Sequence, residues 1–120
     1  MTKKKLWIFC GSGEARKAFP PFMLASGALA LDMDVSMFFT LGGLHLVEKG
    51  GVERIHLENA PQQLSRLLKV VQEGGARLIA CSSFLAVEGL KEQDIIEGVE
   101  FGGVATFVSG AEEADIVLTF

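Results

Sequence analysis

The sequence has no tyrosine, two cysteines, two histidines and three prolines in 120 residues. Two cysteines are too few for a disulfide framework. The soft metal ligands are Cys10, His45, His56 and Cys81, and their separations of 35, 11 and 25 residues match no structural zinc pattern. No metal and no organic cofactor are expected. A GxxxxGK[ST] phosphate loop is also missing, which excludes that type of ATPase site. Basic residues are outnumbered, 11 to 15, giving a net charge of −4 and a pI near 5.1. That balance argues against a direct grip on nucleic-acid backbone. The cluster Lys3-Lys4-Lys5 reads as a solvated chain end. The longest apolar stretch, residues 18–31, holds Pro20 and Pro21 and is only 14 residues long. It falls short of the ~20 needed to cross a bilayer, so no membrane contact is expected. The apolar run after Lys5 breaks at Gly11 to Lys17, unlike a secretory leader. The chain therefore reads as cytoplasmic, where thiols stay reduced.

What is present suits a single globular domain over residues 1–120. Apolar residues make up 49% and charged residues 22%, enough to fill a core. The 14 glycines promise tight turns and close backbone approaches. A mean hydropathy of +0.37 is high for so small a chain standing alone, so a homo-oligomer is expected.

Short apolar runs ended by glycine or by charge predict strands buried on both faces at Leu6 to Cys10, Val35 to Leu41 and Arg77 to Cys81. Ile116 to Phe120 predicts a final strand. Pro20-Pro21 can open a helix, followed by Leu24, Ala28 and Leu31 as its apolar stripe. Asn59-Ala60-Pro61 predicts the start of a second helix, with Leu64, Leu67, Leu68 and Val71 on its buried side and Gly74-Gly75 as its stop. Leu44 to Lys49 reads as one or two helical turns, and Val52 to Leu57 as a short strand or an extended cover loop. Ser82 or Ser83 can cap a short helix that Gly89 ends, and Lys91 to Glu97 is another short helical pattern. Gly103 to Ser109 is ambiguous, because Val, Thr and Phe favour a strand. Strands alternating with helices imply an α/β domain with a mainly parallel sheet and helices on both faces.

Open parallel sheets bind ligands beyond the carboxyl ends of their strands. That rule selects Cys10-Gly11-Ser12-Gly13, Thr40-Leu41-Gly42-Gly43, Cys81-Ser82-Ser83 and Phe120. Cys81 is the first candidate for chemistry. A thiolate at a helix N-terminus is stabilised by unpaired N–H groups, which makes it a better nucleophile near neutral pH. Ser82 and Ser83 could add hydroxyl hydrogen bonds. The plainer alternative is a small buried residue ending a strand. Cys10 is a possible secondary thiol, and neighbouring strands would let the two sulfurs form a redox couple. Gly11, Ser12, Gly13, Gly42 and Gly43 are candidate pocket residues. Gly11-Ser12-Gly13 opens like a dinucleotide fingerprint, but Arg16 stands where the third glycine belongs. His45 and His56 read as surface residues, with a helper role near Cys81 as the alternative. Glu112, Glu113 and Asp115 read as a solvated helix end.

The stretch from Arg77 to Leu90, with Ala80-Cys81-Ser82-Ser83 at its centre, resembles the DsrE/DsrF-like superfamily, in particular its stand-alone branch often labelled predicted peroxiredoxin. Ile96 to Phe107, Ala25 to Ala30 and Val35 to Gly43 are similar to that branch in the same order. The resemblance implies a mostly parallel five-stranded sheet in a three-layer domain, and a helix over Gly103 to Glu113. It implies homo- or hetero-oligomers, often trimers or hexamers, and a persulfide on the cysteine matching Cys81. Ser82-Ser83-Phe84 departs from the branch, and Leu44 to Gln63 matches poorly. The Pro-x-x-x-Thr-x-x-Cys arrangement of true peroxiredoxins is missing, so peroxide reduction does not follow. The function expected is sulfur relay between donor and acceptor proteins. The alternative is an oligomeric module that binds a small molecule or nucleotide at the glycine-rich strand ends.

Overall fold

Five short strands, each with a different burial, build the frame. The computed structural model describes residues 2–120. Strands β1 (Lys5–Cys10), β2 (Asp34–Phe39), β3 (Arg77–Cys81), β4 (Glu100–Gly102) and β5 (Ile116–Thr119) lie in the order β4-β3-β2-β1-β5. Every neighbouring pair is parallel, with Ile8 level with Met37 and Leu118, and Cys81 level with Gly102. Helices α1 (Ala15–Ala30) and α2 (Leu64–Glu73) pack on one face, and α3 (Val104–Glu113) on the other. The chain steps from β1 out to β4 and then returns past β1 to β5. Right-handed crossovers in these two directions place α3 opposite α1 and α2. The expected three-layer α/β domain with five parallel strands is the observed one.

The pleat sorts the strand residues between two unequal cores. Leu6, Ile8 and Cys10 of β1 join Met37, Phe39, Leu78 and Ala80 beneath α1 and α2. Trp7, Phe38, Ile79 and Cys81 form a smaller cluster on the α3 side, with Phe9 and Phe107 packed against it. Phe107 meets Trp7 and Phe9 edge-on, with ring centroids 5.9 and 5.4 Å apart. Gly110 sits where the α3 backbone rests on the Trp7 indole, and a Cβ there would collide with the ring. These contacts explain why Val104 to Ser109 is helical despite its strand propensity. Phe107 and Gly110 lie one turn apart and both seat on the sheet.

Two helices begin elsewhere than their proline signals suggest. Helix α1 starts at Ala15, so Pro20 and Pro21 lie inside it rather than at its mouth. Their rings remove N–H bonds that would reach the carbonyls of Arg16 and Lys17, both exposed residues with access to water. The buried stripe is Ala18, Phe19, Phe22, Ala25 and Ala28, with Phe22 stacked on Phe39 at 6.0 Å. Leu24 and Leu31, expected on that stripe, face outward. The helix can seat one stripe on the sheet, and the one with two phenylalanines buries more area. Helix α2 starts at Leu64 after an extended Gln63, and its buried side is the expected Leu64, Leu67, Leu68 and Val71.

The middle segment has no strand. It makes 3₁₀ turns at Leu41–Leu46 and Val52–Arg54, with Leu41 and Gly50 in the left-handed region. An antiparallel bridge between Glu48 and Ile95 ties this segment to the loop before β4. Strand β4 itself was not apparent from its residues. It is three residues long, at the sheet edge, with Phe101 exposed.

Candidate functional site

Three strands end at the same edge of the sheet: β1 at Cys10 and β2 at Phe39, level with Ala80, and β3 one residue further on at Cys81. The turns beyond them are packed on each other. Gly43 lies against the Cys10 carbonyl, and a Cβ on Gly13 would stand 2.8 Å from the Gly42 carbonyl oxygen. Gly11 donates its N–H to the Phe120 carbonyl at 2.8 Å. Glycine is needed here so that backbone can meet backbone. Ser12 accepts the Glu14 N–H at 3.1 Å just before α1. A cavity of about 510 Å³ lies at the opposite, amino-terminal ends of the strands, lined in part by Trp7, Arg77, Thr106 and Ser109.

The two cysteines are not neighbours. β2 separates their strands, and the pleat turns Cys10 toward α1 and α2 but Cys81 toward α3. The condition for the two sulfurs to approach, neighbouring strands, is therefore not met: a sheet strand and a change of face stand between them. Burial pushes the Cys10 thiol far up from its ordinary value, which suits a packing residue.

Cys81 is fully covered in the single chain, at 0% exposure. Ser83 folds back so that its hydroxyl is 3.5 Å from Cys81 Sγ. Ser82 donates to the Gly102 carbonyl at 3.3 Å, fastening the turn to β4. The helix expected after Cys81 is instead two 3₁₀ turns, Ser82–Phe84 and Ala86–Glu88, closed by Gly89 in the left-handed region. Turns of three residues align few peptide dipoles, so the strong helix N-terminus expected at this sulfur is not there. Ser83 is the polar group that meets the sulfur.

The carboxylate partners of His45 are the feature that sequence reasoning missed. The His45 Nδ1 lies 2.8 Å from Glu48 Oε1 and its Nε2 lies 2.9 Å from Glu88 Oε1. Arg54 Nη2 donates to the same Glu48 oxygen at 2.7 Å. Two carboxylates, each only an acceptor, face the two ring nitrogens, so the ring must be the imidazolium to satisfy both. The hydrogen bond to Glu48 does most to raise the His45 pKa above its ordinary value. Partial burial opposes the rise, and the Glu88 bond adds to it. Both nitrogens are taken by carboxylates, so His45 does not aim at a sulfur. Glu48 at i+3 from His45 is a signal a sequence can show, whereas Glu88 is 43 residues away. His56 is exposed and lines a separate cavity of about 240 Å³ beside Phe19 and α2.

Among the described residues, no group of three or more His, Cys, Asp or Glu is arranged to hold a metal ion. None of the described helices is long and apolar enough to cross a membrane.

Comparison with known proteins bears on what such a site does. The model of the DsrE/DsrF-like family matches residues 3–120. The Sulfur carrier protein DsrE2 of Allochromatium vinosum is 28% identical, over 98% of this chain and 99% of that protein. The uncharacterized protein YrkE of Bacillus subtilis is 25% identical, over 96% of each. The crystal structure of the ychN protein from E. coli has the same fold, with a TM-score of 0.79, 18% identity, and coverage of 98% of this chain and 99% of that one.

Proposed function

The chain belongs to the DsrE/DsrF-like family, and we propose that it works in sulfur relay, with Cys81 as the carrier. The Cys81 thiolate attacks the outer sulfur of a donor persulfide. One S–S bond breaks, another forms, and the donor leaves as a thiolate while Cys81 holds the persulfide. An acceptor thiolate repeats the step and restores Cys81. The sulfur keeps its oxidation level throughout, so the exchange needs no outside oxidant, metal or organic cofactor.

The observation that carries this reading is the position of Cys81. It ends an interior strand at the carboxyl edge of a parallel sheet, where such folds place their chemistry, with the Ser83 hydroxyl 3.5 Å from its sulfur. The relation to a protein named as a sulfur carrier supports the same reading. A cytoplasmic setting, where thiols stay reduced, suits it.

The proposed partners are sulfur donor and acceptor proteins and further copies of this chain. Phe84, Val87, Phe101, Val104 and Val108 are exposed on and around the Cys81 turn, β4 and α3. An apolar surface of this kind favours association, and a trimer or hexamer is the assembly we propose. Light scattering of the purified chain should give a mass several times 12.9 kDa. A single 12.9 kDa species would remove the oligomer from the account. For the carrier role, the test is incubation with a polysulfide followed by peptide mapping. One added sulfur atom on Cys81 supports the role, and a chain that gains none, or gains it only on Cys10, refutes it.

A further inference from the structure

A fully covered carrier sulfur raises the question of what opens it. The segment that leaves Cys81 is Ser82 to Glu88, and its Ser83 hydroxyl lies against the sulfur. It is made of 3₁₀ turns, and its residues are largely exposed apart from the anchor Leu85. It is a weakly built piece of chain, with few backbone bonds and one core side chain. At its far end Glu88 is held by His45, which belongs to the turn after β2. Glu48 and Arg54 fix His45 from the other side. This cluster therefore joins the turn after β2 to the turn after β3, and the second of these holds the Ser83 hydroxyl 3.5 Å from the sulfur.

We propose that His45 is a proton-dependent latch on the Ser82–Glu88 turn, closed when the ring is protonated and released when it is neutral, so that the turn can lift and admit a sulfur donor to Cys81. This proposal rests on Cys81 being the carrier. The direction follows from the hydrogen-bond inventory. A neutral imidazole keeps one N–H and one lone pair. Glu48 is pinned by Arg54 at 2.7 Å and cannot retreat from Nδ1, so the remaining proton stays on Nδ1. The lone pair then faces Glu88, acceptor against acceptor, and Glu88 is on the weaker segment. The backbones of Gly13 and Gly51, which carry no charge, also approach His45. Lys49 directs its ammonium away, to the Gln93 carbonyl at 2.8 Å.

The test is the alkylation rate of Cys81 by iodoacetamide, read by peptide mapping across pH about 5.5 to about 8.5, spanning the ordinary histidine range. His45→Gln cannot bridge both carboxylates, so its turn is unlatched at every pH. The ratio of its Cys81 rate to that of the wild type cancels thiolate ionisation. We expect roughly tenfold at the acid end, the scale of a lost charge-assisted hydrogen bond, falling toward one at the alkaline end. Glu88→Gln places an amide opposite Nε2, which can accept from the charged ring or donate to the neutral one. That variant stays latched, so its Cys81 rate falls below the wild type as pH rises. It also decides the matter if His45→Gln does not fold. A His45→Gln ratio that stays at one, or a Glu88→Gln profile that follows the wild type, overturns the latch. If both variants behave as expected while Cys81 takes up no sulfur from polysulfide, the latch stands as a gate on the thiol and the carrier role falls.

Discussion

Cys10 and Cys81 end strands β1 and β3 on opposite faces of one sheet, with β2 running between them. They cannot form a disulfide while the sheet is intact, because a bridge needs Cα atoms within about 7 Å and Cβ vectors that converge. Mild oxidation of the folded chain should leave Cys10 as a free thiol. A Cys10–Cys81 linked peptide recovered from native protein would contradict this arrangement.

Gly110 and Gly27 should respond oppositely to alanine. Gly110 touches the Trp7 ring, so Gly110→Ala forces α3 off the sheet and should destabilise by about 1–3 kcal/mol. Gly27 lies in α1 with open space around its Cβ position, so Gly27→Ala should stabilise by about 0.4–1 kcal/mol. Urea midpoints check both. A neutral Gly110→Ala would mean that α3 is not seated on Trp7.

The His45 cluster makes stability depend on pH with a definite sign. Its folded pKa is raised, so its contribution is complete below the ordinary value of about 6.5 and is lost as pH rises through the raised value. The wild type should therefore exceed His45→Gln in urea midpoint most at the acid side of this window, with the gap narrowing as pH rises. A gap that widens with pH would reverse the assignment.

The Arg77–Glu100 pair gives a second, weaker pH signal. The two guanidinium contacts to Glu100, at 2.7 and 2.9 Å, hold its carboxyl below the ordinary range and join β3 to edge strand β4. That stabilisation is present above about pH 4.3 and is lost as pH falls through the lowered value. Both side chains are about half exposed, so Glu100→Gln should change stability by less than ~1 kcal/mol. A larger loss at neutral pH would show that the β4 edge depends on this pair.

The parts of the fold that were legible in the sequence are those with a strong local pattern. The runs Leu6 to Cys10 and Arg77 to Cys81, and the Leu64-Leu67-Leu68-Val71 stripe, are dense and periodic enough to name their elements. The rest depends on partners distant in sequence. The two prolines of α1 look like a helix start until the aromatic side Phe19 and Phe22 is seen seated on the sheet. β4 is too short to have a pattern. The helix over Val104 to Glu113 followed from the family resemblance and not from propensity. At the candidate site, the strand-end position of Cys81 was readable. Its complete burial and the His45–Glu88 contact were not, because both depend on how the turns after β2 and β3 meet.

The central claim is that Cys81 carries sulfur, and Cys81→Ser tests it most directly. Serine is close in size, and its hydroxyl does not ionise near neutrality or hold sulfane sulfur. Ser83 already offers a hydroxyl partner 3.5 Å from the sulfur position, so the variant should fold with little change in melting. After polysulfide treatment, intact mass should show one added sulfur atom on the wild type and none on Cys81→Ser. An equal gain by both proteins, or a gain by neither, would contradict the account.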